Sequence, residues 1–267
     1  MTKNIIITGG LGYIGTELCK IYSGVSWNNK ITVIDNRFIS ERVNQLRNWN
    51  INFVHGDILD KKLIQNYLKD ADIVHHLAGI TDVPRIKSEA SEEKNTKIKL
   101  VAEDGTINIL NAINDKCKII LPSTHVVYEG IEKVKNNILE DEETKPVLSY
   151  AVSKDINEKQ LKESGKNYII LRLGSVYGYS TDTARIDIMP NLFSKIASQN
   201  GTLKLFAAGK QVKSLVPLID VARCFKFVEE REDIKSELFN LTQDTVTVKE
   251  VAEICKKYNP KVTLRDT

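Results

Sequence analysis

The stretch that decides the fold is IIITGGLGYIGTELCKIY, residues 5–22. Three isoleucines come first, a glycine-rich turn follows, and an amphipathic run with helical spacing comes after it. The glycines fit GxGxxG when counted from Gly10 and GxxGxxG when counted from Gly9. Glycine suits such a turn because it tolerates unusual backbone angles and lets a phosphate approach the first N–H groups of the helix. A strand, a glycine turn and a helix in this order predict a dinucleotide-binding unit.

An acidic residue stands where an adenosine ribose would need one. Asp35 ends a second predicted strand, 20 positions after Gly15. A carboxylate at this place accepts hydrogen bonds from ribose hydroxyls. Its charge also repels a 2′-phosphate, which favours NAD over NADP, although Arg37 could offset part of that repulsion. The alternative is a glycine turn of purely structural use, with Asp35 as a helix cap.

Short apolar runs alternate with longer amphipathic stretches along the chain, an order typical of an α/β fold. We predict a doubly wound parallel sheet of Rossmann type with helices on both faces. The predicted strands cover residues 4–8, 31–35, 52–55, 72–77, 118–122, 168–173 and 237–241. The predicted helices cover residues 13–22, 61–69, 92–114, 150–163, 188–199, 218–229 and 247–257. The irregular stretches 132–145 and 179–187 are interpreted as loops at the sheet edge where ligands bind.

Composition excludes several classes of protein. The 267 residues are 42% hydrophobic and 27% charged, which is globular usage and enough chain for one or two domains. The net charge of +3, without a run of five like charges, gives no sign of nucleic-acid binding. The four cysteines are far apart and form no CxxC pair, so neither disulfides nor a metal site is predicted. The apolar run before the glycines is too short for a signal or membrane segment, and we expect a soluble cytoplasmic protein.

Tyr150 and Lys154 form a YxxxK pair at the start of a predicted helix. Residues four apart lie on one helical face. A free tyrosine, with a pKa of about 10, is a poor base near neutrality, but a neighbouring ammonium lowers that value. The pair therefore predicts a proton acceptor for a substrate hydroxyl. The alternative is an ordinary solvated helix face.

Two hydroxyl residues end the fifth predicted strand, in the stretch KIILPSTHVVYEG at residues 118–130. Ser123 and Thr124 fall at the sheet edge that carries the glycine turn. A hydroxyl there could share a hydrogen bond with the substrate oxygen and help to pass its proton to Tyr150. His125 follows Thr124 directly. It therefore has two possible roles, packing within the protein or contact with the substrate.

Together these motifs resemble the extended short-chain dehydrogenase/reductases, and within them the NAD-dependent sugar-nucleotide epimerase/dehydratase group that includes UDP-glucose 4-epimerase. The resemblance covers nearly the whole chain. It rests on TGGLGYIG (8–15), Asp35-Asn36, Gly56-Asp57-Ile58, HHLAG (75–79), PSTHVVYEG (122–130), SYAVSK (149–154) followed by Glu158, RLGSVYG (172–178) and PLIDVA (217–222).

The resemblance implies a bound NAD and a nucleotide-sugar substrate, and no metal site is predicted from the residues. It implies cofactor contacts from Gly9, Gly12, Tyr13, Ile14, Gly15, Asp35, Asn36, Asp57, Ile58, Leu77, Ala78, Gly79, Ser123, Tyr150 and Lys154. Tyr150 would be the catalytic base, assisted by the Thr124 hydroxyl, and Lys154 would bind the nicotinamide ribose and lower the tyrosine pKa. The substrate contacts would come from Thr124, His125, Ser175 and Lys213.

The implied activity is epimerisation of a nucleotide sugar through a transient keto sugar, with inversion at C4. Two alternatives stay open: an NAD(P)-dependent reductase of a 4-keto sugar nucleotide, and a non-catalytic NAD-binding protein. Some positions depart from the family. His125 and Val126 stand where 4,6-dehydratases have Asp-Glu, so elimination by that route is not expected. Ala102, Ser175 and Lys213 stand where the family has Asn, Asn and Arg. These departures change the expected contacts to the sugar nucleotide, since Lys213 can neutralise a phosphate but cannot bind it with the two-pronged geometry of arginine.

The resemblance also implies two domains. Residues 1–175, with 215–245 returning to them, would bind NAD, and residues 176–214 and 246–267 would form a small substrate-binding domain. Family members usually run some tens of residues longer, so either this domain is reduced or the chain is incomplete. A homodimer is implied as well, with helices 92–114 and 150–163 pairing as a four-helix bundle. Packing within one chain would suit their apolar positions equally well.

Overall fold

The fold is described from a computed structural model, which covers residues 2–24, 28–81, 92–132, 135–180, 183 and 185–267. The chain divides into two compact units. The first comprises residues 1–172 and 222–240, and the second comprises residues 173–221 and 241–267. Substrate binding by the second unit remains a prediction.

The strands are β1 (Asn4–Thr8), β2 (Lys30–Asp35), β3 (Asn52–His55), β4 (Ile73–His76), β5 (Lys118–Thr124), β6 (Asn167–Leu173), β7 (Ser175–Tyr177), β8 (Thr202–Leu205), β9 (Val212–Pro217), β10 (Glu237–Leu241), β11 (Asp244–Thr247) and β12 (Thr263–Asp266). The helices are α1 (Tyr13–Ser23), α2 (Ser40–Asn48), α3 (Lys61–Leu68), α4 (Glu92–Ala112), α5 (Ser149–Glu163), α6 (Met189–Ser198), α7 (Leu218–Glu230) and α8 (Val248–Tyr258). None of the helices in the described ranges is long and apolar enough to cross a membrane.

A seven-stranded sheet forms the centre of the first unit, in the order β10-β6-β5-β4-β1-β2-β3. β1 is parallel to both β2 and β4, β2 is parallel to β3, and β4 is parallel to β5. The strand order reverses between β1 and β4, and the carboxyl ends of parallel strands meet at one edge, where ligands bind in such sheets. The prediction of a doubly wound Rossmann-type fold is confirmed.

The strands of this sheet are apolar runs because helices cover both faces. Ile5, Ile6 and Ile7 of β1 are at most 1% exposed. Ile6 packs in one core cluster with Val74 of β4 and Ile119 of β5. This burial holds the glycine turn after β1 rigidly against its neighbours.

Two helices on one face are also joined by polar contacts. The Asn157 side-chain amide of α5 donates to the Ala102 carbonyl of α4 at 2.8 Å, and Gln160 donates to the Glu103 carbonyl at 3.2 Å. The helices α4 and α5 therefore have a fixed register. That register positions the YxxxK pair of α5 relative to the sheet.

The α2 helix was not predicted from the sequence. Its residues are SERVNQLRN, of which Val43 and Leu46 are buried. Two apolar residues in nine give too weak a periodicity for a prediction, and the helix is stabilised mainly by packing of these two side chains.

Within the first unit, a buried ion cluster joins the end of α7 to β4 and α1. The Glu229 carboxylate is 2.8 Å from Nε2 of His75 and 2.5 Å from Nζ of Lys226, and it also accepts from the Tyr22 hydroxyl. Burial alone would raise the pKa of Glu229, but hydrogen bonds and charges from His75 and Lys226 lower it to about 2. The carboxylate is therefore ionised at neutral pH.

The described residues of the second unit form two small sheets, the helices α6 and α8, and the first residues of α7. β9 lies between β11 and β7, antiparallel to β11 and parallel to β7, and β12 is parallel to β8. Its core consists of Phe193, Ala197, Leu203, Leu205, Ala252 and Val262. Thr247 and Glu250 form a capping box that starts α8. The short strands β7, β8, β9, β11 and β12 were not predicted.

Candidate active site

The turn after β1 leaves no room for a side chain at Gly9. Gly9 has a φ of 71°, in the left-handed region that glycine tolerates best. A Cβ built on Gly9 would lie 2.7 Å from both N and Cα of Ala78, in the loop after β4. Glycine is therefore required where these two loops meet at the carboxyl edge of the sheet.

The start of α1 is open to an anion. Gly12 stands at the N-cap and brings no side chain over the first N–H groups, and the first turn holds no acidic residue. Aligned peptide dipoles and N–H donors at such an end favour a phosphate. Gly15 allows close packing here, since a Cβ on it would lie 2.6 Å from Cα of Gly10. The residues present therefore fit the pyrophosphate of a dinucleotide, with Tyr13 and Ile14 in the first helical turn.

The Asp35 carboxylate is already fully hydrogen-bonded. Its oxygens accept from the backbone N–H groups of Leu11 and Arg37, both at 3.0 Å. They also accept from Nε and Nη2 of the Arg37 guanidinium, both at 3.1 Å. A carboxylate offers about four acceptor positions, so all are used. Ribose hydroxyls would fit Asp35 by replacing the Arg37 side chain, which is 52% exposed and free to turn outward.

The remaining predicted cofactor residues of the first unit lie on the loops that follow its strands. Asn36 donates to the Asp57 carboxylate at 2.9 Å, and Ile58 is buried. Leu77 N–H donates to the carbonyl of Thr8, and Ala78 N–H donates to its hydroxyl. These contacts tie the loops after β2, β3 and β4 to the glycine turn side of the sheet.

The two hydroxyls at the end of β5 have opposite hydrogen-bond commitments. Ser123 donates its hydroxyl proton to the Glu158 carboxylate at 2.5 Å. Thr124 instead accepts, from the backbone N–H of Val126 at 3.3 Å. Both residues are buried, at 2% and 6% exposure. The proton of Thr124 and the lone pairs of Ser123 therefore stay available to a ligand.

The YxxxK pair stands on the first turns of α5. Tyr150 is half-buried, and Lys154, one turn later, is buried. A Cβ on Gly79 would lie 4.0 Å from Nζ of Lys154, so the amine lies beside the loop after β4. Burial lowers the pKa of Lys154 and the charge of Glu158 opposes this, leaving it at about 8. Lys154 is thus mostly an ammonium at neutral pH.

Glu158 forms a buried ion pair directly behind the site. Its side chain is 2% exposed, and Arg172 of β6 donates to it from Nη2 at 2.6 Å and from Nε at 2.9 Å. The Arg172 guanidinium also donates to the Tyr128 hydroxyl and lies 5.0 Å from that ring's centre. No role was predicted from the sequence for Glu158 or Arg172. A lone arginine within the apolar strand YIILRL could have indicated a buried carboxylate partner.

A neutral histidine links the sheet to the helices. His76 lies 3.0 Å from the hydroxyl of Thr8 through Nδ1 and 3.0 Å from that of Thr106 through Nε2. Burial, with the charge of Lys154 added, lowers the pKa of His76 to about 3. Asn157 of α5 donates to the same Thr106 hydroxyl at 3.0 Å. The ring therefore has a structural hydrogen-bonding role between β1, β4 and α4.

Two of the predicted substrate residues belong to the second unit. Ser175 begins β7 and pairs with Leu215 of β9. Lys213 lies two residues before Leu215 on β9 and is exposed. His125 is half-buried in the short 3₁₀ turn after β5. In the part of the chain that the structure describes, no group of three or more His, Cys, Asp or Glu residues could hold a metal ion.

The match to a known family model shows which protein family this chain belongs to. Residues 5–242 match the NAD dependent epimerase/dehydratase family. The chain belongs to this family. The resemblance inferred from the motifs, and the prediction of NAD as cofactor, are confirmed at this level.

Individual relatives share the fold but differ in their reactions. UDP-N-acetyl-alpha-D-glucosaminuronate decarboxylase of Bacillus cytotoxicus is 28% identical, over 95% of this chain and 79% of its own length. UDP-glucose 4-epimerase of Mycoplasma genitalium is 25% identical, over 95% of this chain and 80% of its own. The structure of UDP-glucuronic acid 4-epimerase from Bacillus cereus, in complex with UDP-glucuronic acid and NAD, has a TM-score of 0.80 at 23% identity. The match covers 98% of this chain and 85% of that one.

Proposed function

We propose that this protein is an NAD-dependent epimerase of a nucleotide sugar that inverts C4 through a transient keto sugar. One observation carries the proposal: the Lys154 ammonium is buried one helical turn from Tyr150 on α5. This helix lies beside β5, the strand that ends with Thr124. Epimerases of UDP-glucose and of UDP-glucuronic acid among the similar proteins support the substrate class.

The chain's own residues supply a proton path. Tyr150 accepts the proton of the sugar hydroxyl as a general base. The Lys154 ammonium favours the phenolate form of Tyr150 because opposite charges stabilise each other in a buried site. Thr124, whose oxygen accepts from the Val126 N–H, donates its own proton to the sugar oxygen and orients it. When bound, NAD supplies the hydride acceptor that the sugar carbon needs.

The test is to incubate the purified full chain with UDP- and GDP-sugars and to analyse the products by NMR. We expect one sugar to be converted to a mixture with its C4 epimer, without a net change in nicotinamide absorbance. Stoichiometric consumption of NADH or NADPH would identify a reductase instead. Failure to bind any sugar nucleotide in calorimetry would support a non-catalytic NAD-binding protein, in which Ala102, Ser175 and Lys213 mark a lost sugar site.

A pH prediction follows from the buried lysine. As the pH rises through the Lys154 pKa of about 8, its ammonium is lost and the Tyr150 phenolate loses its partner. We therefore expect kcat/KM to fall on the alkaline side with an apparent pKa near 8. Lys154→Arg, which stays charged at high pH, should lack this alkaline limb whatever its residual rate. A wild-type profile that stays flat well above that pKa would contradict the assignment.

A second prediction concerns cofactor choice. Arg37→Leu removes the two side-chain bonds that occupy Asp35 and leaves a carboxylate that repels a 2′-phosphate. We expect the affinity ratio of NAD⁺ to NADP⁺ to increase about ten-fold, measured by calorimetry on the full chain. Arg231→Leu, which breaks an exposed ion pair with Asp233, is the control and should leave the ratio unchanged. An unaltered ratio in Arg37→Leu would mean that Arg37 does not compete for Asp35.

The homodimer and the cytoplasmic location remain predictions. Leu100, Ile107 and Val152 are exposed apolar residues on α4 and α5, which supports pairing of these helices with a second copy. A groove of about 430 Å³ runs beside them, lined by Ile107, Leu110, Asn111, Gln160, Glu163, Ser164 and Lys166. A monomer by light scattering at micromolar concentration would rule the dimer out.

A further inference from the structure

Glu158 contacts or faces two predicted active-site residues. It accepts the Ser123 proton through Oε1, and it stands one helical turn beyond Lys154 on the same face of α5. Both Glu158 and Lys154 are buried, so their charges are poorly screened. No other carboxylate among the described residues both bonds a β5 hydroxyl and shares a helix face with the YxxxK pair.

The Ser123 hydroxyl has its polarity set by this carboxylate. An ionised carboxylate can only accept, so the single proton of Ser123 must point at Glu158. Arg172 pairs with the Glu158 carboxylate at two points, with Nη2 at 2.6 Å and Nε at 2.9 Å. Ser123 is therefore left with lone pairs only and accepts from a ligand N–H. Thr124 differs from Ser123, since its oxygen accepts from the Val126 N–H and its proton is left for a ligand.

Three titratable groups of the described residues face Lys154. On its own helix they are Tyr150 and Glu158, and from β4 the neutral ring of His76 faces it. Glu158 itself is faced by Arg172 of β6 and by Lys162 of α5, whose Nζ is 3.9 Å away. The Tyr128 hydroxyl accepts from Arg172, on the far side of the ion pair. Glu158 is thus the negative charge that supports the Lys154 ammonium.

We propose that Glu158 is a positioning residue with two effects: it makes Ser123 a hydrogen-bond acceptor for the cofactor's carboxamide N–H, and it stabilises the Lys154 ammonium beside Tyr150. It touches neither substrate nor cofactor. The proposal rests on the proposed function for Tyr150 as the base, and on the family resemblance for Ser123 as a cofactor contact, taken here to be with the nicotinamide. Its readouts need no turnover, so its failure is distinguishable from a wrong substrate or reaction.

Glu158→Gln tests both effects at once. The Gln oxygen pairs with Arg172, and its amide then donates to Ser123, which reverses the polarity of that hydroxyl. We expect the affinity for NAD⁺ to fall about ten-fold in calorimetry. We also expect the tyrosinate absorbance of Tyr150 to appear about one pH unit higher, in the full chain saturated with NAD⁺. The absorbance of the other tyrosines is corrected for by subtracting the same titration of the Tyr150→Phe protein.

Two further variants separate the effects from a structural role. Glu158→Asp keeps the charge but is too short for the Ser123 bond, so NAD⁺ affinity should fall while the Tyr150 titration stays as in the wild type. Glu229→Gln removes an equally buried, paired carboxylate of the same unit and should change neither readout, whatever its loss of stability.

Both readouts unchanged in a folded Glu158→Gln protein would overturn the proposal. If the Arg172 charge left unpaired prevents folding, the double variant Glu158→Gln/Arg172→Gln, which leaves no unpaired charge, takes its place. The same ten-fold loss of NAD⁺ affinity is then expected, because Ser123 has lost its carboxylate acceptor. Wild-type affinity in that double variant would overturn the claim on Ser123.

Discussion

Tyr150→Phe is expected to reduce kcat for epimerisation about 10²- to 10⁴-fold, the usual effect of removing a positioned general base. The substitution deletes one hydroxyl from a half-buried side chain on α5 and leaves the ring in place. Binding of NAD⁺ should fall far less than kcat, because the glycine turn and Asp35 are untouched and only one of the predicted cofactor contacts is lost. The measurement is the rate of conversion of the nucleotide sugar to its epimer, together with the rate at which bound NAD⁺ is reduced in a single turnover.

A matched control is Tyr67→Phe, since Tyr67 is a 42% exposed tyrosine on α3 of the same unit. It should retain the wild-type rate. Full activity in Tyr150→Phe would remove Tyr150 from the chemistry, and with it the proposed mechanism.

Arg172→Met is expected to destabilise the first unit by about 3–5 kcal/mol, because it leaves the Glu158 carboxylate buried without its partner. A loss of this size should lower the Tm of the chain by roughly 10 °C. Thermal unfolding followed by circular dichroism measures it. The double variant Glu158→Gln/Arg172→Met removes both charges and should recover most of the loss.

Arg231→Met is the control that breaks an exposed ion pair instead of a buried one. Arg231 and Asp233 are also 2.6 Å apart, the same separation as Arg172 and Glu158, but their side chains are 48% and 62% exposed. Solvent screens such a pair, so we expect little change in Tm. Equal effects of the two substitutions would show that burial of the Arg172 pair is not what stabilises the unit.

The sequence allowed most of the first unit to be predicted. Strands β1, β3 and β10 were predicted at their observed bounds, and helices α1, α3 and α5 within one residue at each end. Buried parallel strands leave continuous apolar runs, and the glycine turn marks where β1 ends. Such signals are local, so they need no knowledge of what packs against them.

The missing parts depend on contacts that are distant in sequence. β7 and β11 have three and four half-buried or exposed residues and exist because each pairs with β9. Ser123 was predicted at the site, but its acceptor is 35 residues away, and the arginine that holds this acceptor is on another strand. Arg37 was predicted to lie near Asp35. That its guanidinium bonds both carboxylate oxygens depends on the side-chain conformation, which the sequence does not specify.

The central claim is that the hydrogen leaves C4 of the sugar as hydride and returns to the same carbon. A nucleotide sugar carrying deuterium at C4, incubated with the full chain in ordinary water, tests this by mass spectrometry and NMR of the epimer formed. We expect an inverted product that keeps its deuterium at C4, with no labelled NADH released. Inversion with loss of the label to water, or transfer of the label to free NADH, would contradict it.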